Sequence, residues 1–136
     1  MGAGGESLGR KAQLIGPAVM PGISIHVVDV VRGMPATGMR VELYAQPDAG
    51  RREVGAGAIG PDGVFRHAST DGTGVQTGVH EILLHAGDFY RGASLGAAAP
   101  AFQEVIAFRF TVTDVREHYH LPFKISPWGL SVWRGR

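Results

Sequence analysis

At 136 residues the chain has the size of one domain, and its 44% hydrophobic and 18% charged content fits a soluble fold. A net charge of +1 and a pI near 8.2 give no electrostatic reason for nucleic acid or an anionic membrane as partner. The absence of cysteine excludes disulfides, thiolate nucleophiles and Cys-based zinc sites, and no run of about 18 apolar residues offers a membrane span. Residues 1–22 (MGAGGESLGRKAQLIGPAVMPG) lack the continuous apolar core of a secretory signal. They are expected to form a flexible leader to a domain spanning 23–136, in a cytoplasmic protein.

Ile23 to Val30 alternates and is rich in β-branched types, which predicts a strand with Ile23, Ile25 and Val27 on one face and Ser24, His26 and Val28 on the other. Arg32 to Gly38 carries two glycines and a proline, so the chain reverses there. Met39 to Ala45 alternates again, with Met39, Val41 and Leu43 inward. Gln46 to Gly63 is turn-rich, with room for a short strand around Glu53 to Ile59 and a Pro-Asp-Gly turn at its end. Val64 to His67 is expected as a short strand in which Val64 and Arg66 share a face, and Ala68 to Gly78 as an exposed, mobile loop. Val79 to His85 resumes the strand pattern. Gly87 to Gly92 is a helical turn or a loop, and Gly96 to Pro100 a small-residue linker. The clearest alternation is Glu104 to Thr113, where Ile106, Phe108, Phe110 and Val112 form one apolar face. No long segment has a 3.6-residue period. The count is therefore about seven to eight short strands, spaced for an all-β antiparallel sandwich with at most one short helix.

The chemistry is concentrated in Asp114 to Arg136, DVREHYHLPFKISPWGLSVWRGR, which holds both tryptophans, Trp128 and Trp133, and is too aromatic for a frayed tail. In an extended segment His118 and His120 point the same way. Such a pair suits a metal, with His26 as a third ligand, but no carboxylate or cysteine stands at ligand spacing nearby, so no metal and no cofactor is expected. Two other readings stay open: acid–base chemistry, for which a histidine pKa near neutrality is suited, and hydrogen bonding at a strand end. Arg134 offers either a bidentate contact to a carboxylate or polarised carbonyl, or a surface cation beside an aromatic.

Three stretches resemble the transthyretin-like family, whose enzyme branch comprises the 5-hydroxyisourate hydrolases of purine breakdown. They are SIHVVDVVRGMPATGMRVELY, GVHEILLHAGDFY and EVIAFRFTVTDVREHYHLPFKISPWGLSVWRGR. The last is the most specific, because His-Tyr-His-x-Pro, the Ser-Pro turn and an aromatic-Arg-Gly near the terminus occur together at the family's spacing. The resemblance implies a transthyretin-like β-sandwich assembling as a homotetramer, with small-molecule sites in a channel between dimers. Carried residue by residue, it implies His26, His120 and Arg134 as catalytic residues that activate water and hold an anionic ring, without a metal.

The departures from the family pattern fall on substrate-contacting positions. Val64 stands after the Asp62-Gly63 turn, where the enzymes place arginine, and Arg66 lies two positions on, about 7 Å along a regular strand. Trp133 replaces a tyrosine and Arg136 a serine. Three functional expectations follow: a 5-hydroxyisourate hydrolase with a variant site, a relative recruited to another heterocyclic or carbonyl substrate, or a non-catalytic small-molecule binder. The retained histidines favour an enzyme over a binder.

Overall fold

The computed structural model describes residues 21–93 and 101–135. The expected leader, apart from Pro21 and Gly22, the small-residue linker and Arg136 lie outside the described residues. Among the described residues eight strands form, in chain order β1 (Gly22–Asp29), β2 (Met34–Pro35), β3 (Arg40–Ala45), β4 (Arg52–Ala58), β5 (Gly78–Leu84), β6 (Ile106–Val112), β7 (His118–Ile125) and β8 (Leu130–Val132). One short helix, α1 (Ala86–Gly92), follows β5. The strands make two four-stranded sheets, ordered β2-β1-β7-β8 and β4-β3-β5-β6.

Alternation sets the layers. Ile23, Ile25 and Val27 of β1 are fully buried, as are Val41 and Leu43 of β3 and Ile82 and Leu84 of β5, and the inner faces of the two sheets close on each other. Each such side chain contributes on the order of 1.5–3 kcal/mol by leaving water. Tyr119, Leu121, Phe123 and Ile125 supply the inner face of β7, so the even-numbered residues of that strand are turned outward. Beneath α1, Asp29 is fully buried and accepts hydrogen bonds from Val31 N (3.0 Å), Arg32 Nε (2.8 Å) and Tyr90 Oη (3.1 Å).

Among the described strands all pairs but one are antiparallel. β1 and β7 run parallel, in register from Gly22 opposite His118 to Asp29 opposite Ile125. Period-two alternation fixes faces and not partners, so this pairing is invisible in the sequence. It is sterically open because the whole second sheet forms the crossover between them, far beyond the dozen or so residues that a parallel connection needs.

Two expectations need correction. Val64 to His67 is not a strand: only Val64 and Phe65 make isolated bridges, to His26 and Ile59. The 68–78 segment is more structured than a mobile loop, since Ala68–Asp71 winds into a 3₁₀ turn with Ser69 fully buried. The His67 imidazole makes this turn possible, because its Nδ1 accepts from the Ser69 N–H at 3.0 Å and caps the first orphan donor.

The C-terminal stretch is held as a strand, a turn and a second strand. Ser126 Oγ accepts from the N–H groups of Trp128 and Gly129, both at 3.1 Å, which closes the turn and reverses the chain into β8. β8 pairs with β7 from Leu130 to Val132, stops, and contact resumes where Gly135 bridges His120. The interruption has a cause. The same register carried through would set Pro122 opposite Trp133, and proline has no N–H for the ladder. Trp133 and Arg134 therefore leave the sheet at this point.

Candidate active site

The outer face of the β2-β1-β7-β8 sheet gathers the histidines. His26 projects from β1 and His120 from β7, one strand across, with Ser24 in register beside His120. The turn before Val64 closes over His26: Val27 N–H donates to Gly63 O (2.9 Å), Phe65 N–H donates to Ile25 O (3.0 Å), and Val64 bridges His26 directly. Gly63 takes φ +86°, and a Cβ built there would lie 2.6 Å from both Cδ2 and Nε2 of His26. The imidazole thus lies where only glycine leaves room for it.

His120 is equally confined. A Cβ on Gly135 would reach 3.0 Å from its Cδ2, and Gly135 N–H donates to the His120 carbonyl at 2.6 Å. Ser24 Oγ lies 2.6 Å from His120 Nδ1 and 2.8 Å from His118 Nε2, while His118 Nδ1 lies 3.2 Å from the Pro21 carbonyl. Burial lowers the His120 pKa below the ordinary histidine value, and the positive charges that His26 and His118 can carry push it the same way. A histidine tuned in this direction is neutral at pH 7 and able to accept a proton.

The remaining predicted residues divide. Val64 is half-buried beside His26 and presents an aliphatic wall. Arg66 is exposed and ion-paired with Asp62, and with Val64, Phe65, His67, Thr70 and Asp71 it lines an open depression of about 240 Å³. Trp133 is 50% exposed, with Lys124 Nζ 5.5 Å from its ring centroid. Arg134 stacks on the ring of Tyr119, 4.0 Å to the centroid, and its Nη2 donates to Glu117 Oε1 (2.8 Å) and to the His118 carbonyl (3.2 Å). It is therefore anchored on the core-facing member of His-Tyr-His, while His118 and His120 occupy the opposite face of that strand. Arg136 lies outside the described residues.

The structure thus brings His26, His120 and Val64 onto one surface and holds the Arg134 guanidinium apart from it, on the Tyr119 ring. Sequence reasoning missed Ser24 and Gly63. Ser24 shares the wet face of β1 with His26, and that two-residue spacing was the available signal. The role of Gly63 depends on the bridge from His26 to Val64, which no local pattern announces.

A model of the HIUase/Transthyretin family matches residues 23–135. Among curated proteins, the chain is 35% identical over 113 residues to 5-hydroxyisourate hydrolase 2 of Rhizobium meliloti (strain 1021), covering 83% of this chain and 94% of that protein. Among solved structures it is similar to (S)-allantoin synthase, with TM-score 0.77 and 26% identity, covering 91% of this chain and 47% of the other, so it spans about half of that protein. It is also similar in fold to Klebsiella pneumoniae 5-hydroxyisourate hydrolase, with TM-score 0.70 and 22% identity, covering 86% of this chain and all of the other.

Proposed function

Because the chain belongs to the HIUase/Transthyretin family, we propose that it is a 5-hydroxyisourate hydrolase-like enzyme, opening a purine-derived ring by histidine-assisted attack of water. The observation that carries this reading is the pair of outward-facing histidines on adjacent strands, with His120 biased toward its neutral form. Neutral His120 takes a proton from water as the oxygen adds to a ring carbonyl carbon. The tetrahedral intermediate then expels the ring nitrogen. A C–O bond forms, the ring C–N bond breaks, and the nitrogen receives a proton from the imidazolium or from His26. Arg134, stacked on Tyr119 of β7, is the cation assigned to the anionic ring, and Trp133 and Val64 give the pocket apolar walls. Arg136, and Arg66 on release from Asp62, are assigned to further substrate contact.

The histidine face is the outer face of its sheet, open in a single chain, and family likeness supports a homotetramer that encloses it at a dimer–dimer interface. Among the described residues no helix is long and apolar enough to cross a membrane, and we place the enzyme in the cytoplasm. The direct test follows the ultraviolet decay of freshly generated 5-hydroxyisourate. The protein is expected to accelerate decay above the spontaneous rate, and His120→Ala to lose that acceleration. Absence of any acceleration overturns the assignment.

A second reading, recruitment to another heterocyclic or carbonyl substrate, is favoured by one observation: an aliphatic Val64 beside His26, with Arg66 engaged by Asp62. If Val64→Arg, Trp133→Tyr and Arg136→Ser together create 5-hydroxyisourate hydrolysis in a protein that lacks it, this second reading holds.

A further inference from the structure

We propose that Ser24 sets the tautomer of His120, through a chain of hydrogen bonds whose direction is fixed by a backbone carbonyl. The chain starts at Pro21 O, which only accepts. His118 Nδ1, 3.2 Å away, therefore carries the proton. Neutral His118 then has a bare Nε2, and its hydrogen-bond partner among the described residues is the Ser24 hydroxyl at 2.8 Å, which donates. With its one proton so committed, Ser24 Oγ must accept at its other contact, and His120 Nδ1 donates to it at 2.6 Å. Neutral His120 is thereby left with a bare Nε2, the lone pair a general base requires. The opposite direction would point an unprotonated His118 Nδ1 at the lone pairs of Pro21 O, two acceptors facing each other inside a partly buried contact.

The arrangement depends on the parallel register of β1 and β7. Gly22 lies opposite His118 and Ser24 opposite His120, so one hydroxyl on the shared outer face spans both imidazoles. Ser24 reaches the reaction only through His120 and is a positioning residue. Its contribution rests on His120 being the base of the hydrolysis proposed above, whereas the tautomer itself does not.

The test uses the full chain with ¹⁵N-labelled histidine, at a pH where the imidazoles are neutral. Long-range ¹H–¹⁵N correlation is expected to show both His118 and His120 as Nδ1–H forms in the native protein. Ser24→Ala is expected to move His120 toward the Nε2–H form, and Ser24→Thr, which keeps the hydroxyl, to retain the native pattern. In 5-hydroxyisourate decay, Ser24→Ala should lower kcat by roughly 10- to 100-fold with little change in KM, a share of the 10²–10⁴-fold typical of general acid–base catalysis. Ser24→Thr should recover it. A native His120 found as Nε2–H, or a Ser24→Ala spectrum unchanged from native, overturns the proposal. A switched tautomer with unchanged kcat overturns the positioning role. A native protein that shows the stated tautomers but no hydrolysis supports the hydrogen-bond chain and sinks the functional assignment alone.

Discussion

Replacing Gly63 with alanine separates backbone strain from disruption of the histidine face. At φ +86° an L-residue pays about 1–2 kcal/mol for the left-handed conformation. The new Cβ would also lie 2.6 Å from two ring atoms of His26 and 3.3 Å from the Val27 carbonyl. A ring driven off its rotamer costs about 0.5–1.5 kcal/mol more. Gly50 provides the internal control: it has φ +75° in the turn between β3 and β4, and a Cβ there meets nothing within 4 Å. Gly50→Ala should therefore lose only the backbone share, and the unfolded-state entropy that alanine removes is common to both variants. For a chain of this size about 1 kcal/mol moves Tm by roughly 3–5 °C, so Gly63→Ala should melt a few degrees below Gly50→Ala. The larger difference is in rate. Gly50→Ala should hydrolyse 5-hydroxyisourate as the native protein does, and Gly63→Ala should be slowed about 100-fold through displaced His26. A Gly63→Ala protein with native kcat and a Tm equal to that of Gly50→Ala would refute the claim that this glycine seats the imidazole.

Three further outcomes are expected. Tyr90→Phe removes one of three donors to the buried Asp29 carboxylate and should cost about 1.5–3 kcal/mol in chemical denaturation, without altering the rate. His80 is fully buried, its Nε2 has no hydrogen-bond partner among the described residues, and burial holds its pKa below the ordinary value. The unfolded chain therefore takes up a proton below about pH 6.5 that the folded chain refuses, so stability falls as the pH drops through that value. His120, shifted in the same direction, adds to this loss. His80→Phe, which keeps a ring against Phe110, should show a smaller loss of Tm between pH 7 and pH 5 than the native protein, and an equal loss would exclude His80 as a cause. Arg134→Ala removes an ion pair between partly exposed groups and a cation–π contact with Tyr119, each worth about 1 kcal/mol or less at such sites, so Tm should fall by only a few degrees while kcat/KM falls at least 10-fold if Arg134 holds the anionic ring.

Much of the fold was legible because each strand has one dry face. Ile23-Ile25-Val27 and Ile106-Phe108-Phe110-Val112 alternate cleanly, and the structure turns those residues toward the core, only partly buried at Phe108 and Phe110. The outward placement of His26 followed from the same alternation. What one strand's pattern cannot carry is its neighbour. The parallel pairing of β1 with β7 and the closure of Gly63 over His26 are both long-range, and Ser24 gained meaning only once its strand partner was known. Arg66 shows the limit differently: the expected strand would have aligned it with Val64, but the two isolated bridges at Val64 and Phe65 end there, and Asp62 captures the guanidinium. Arg134 was open to two readings, a bidentate substrate contact or a surface cation beside an aromatic; its guanidinium lies over Tyr119, a long-range neighbour that the local sequence does not name.

The β1–β7 pairing also bears on synthesis. Ser24 is separated from its partners His118 and His120 by 94 and 96 residues, so the histidine face has no local precursor. Contacts of such high order slow folding, and during vectorial synthesis the edge of β1 must wait unpaired until the C-terminus emerges. A chain truncated before His118 would lack β7 and β8 of this sheet, and with them the proposed base His120, and would expose an apolar strand edge of the kind that seeds aggregation. The strand that carries the proposed base His120 is thus the same strand that covers the inner edge of β1.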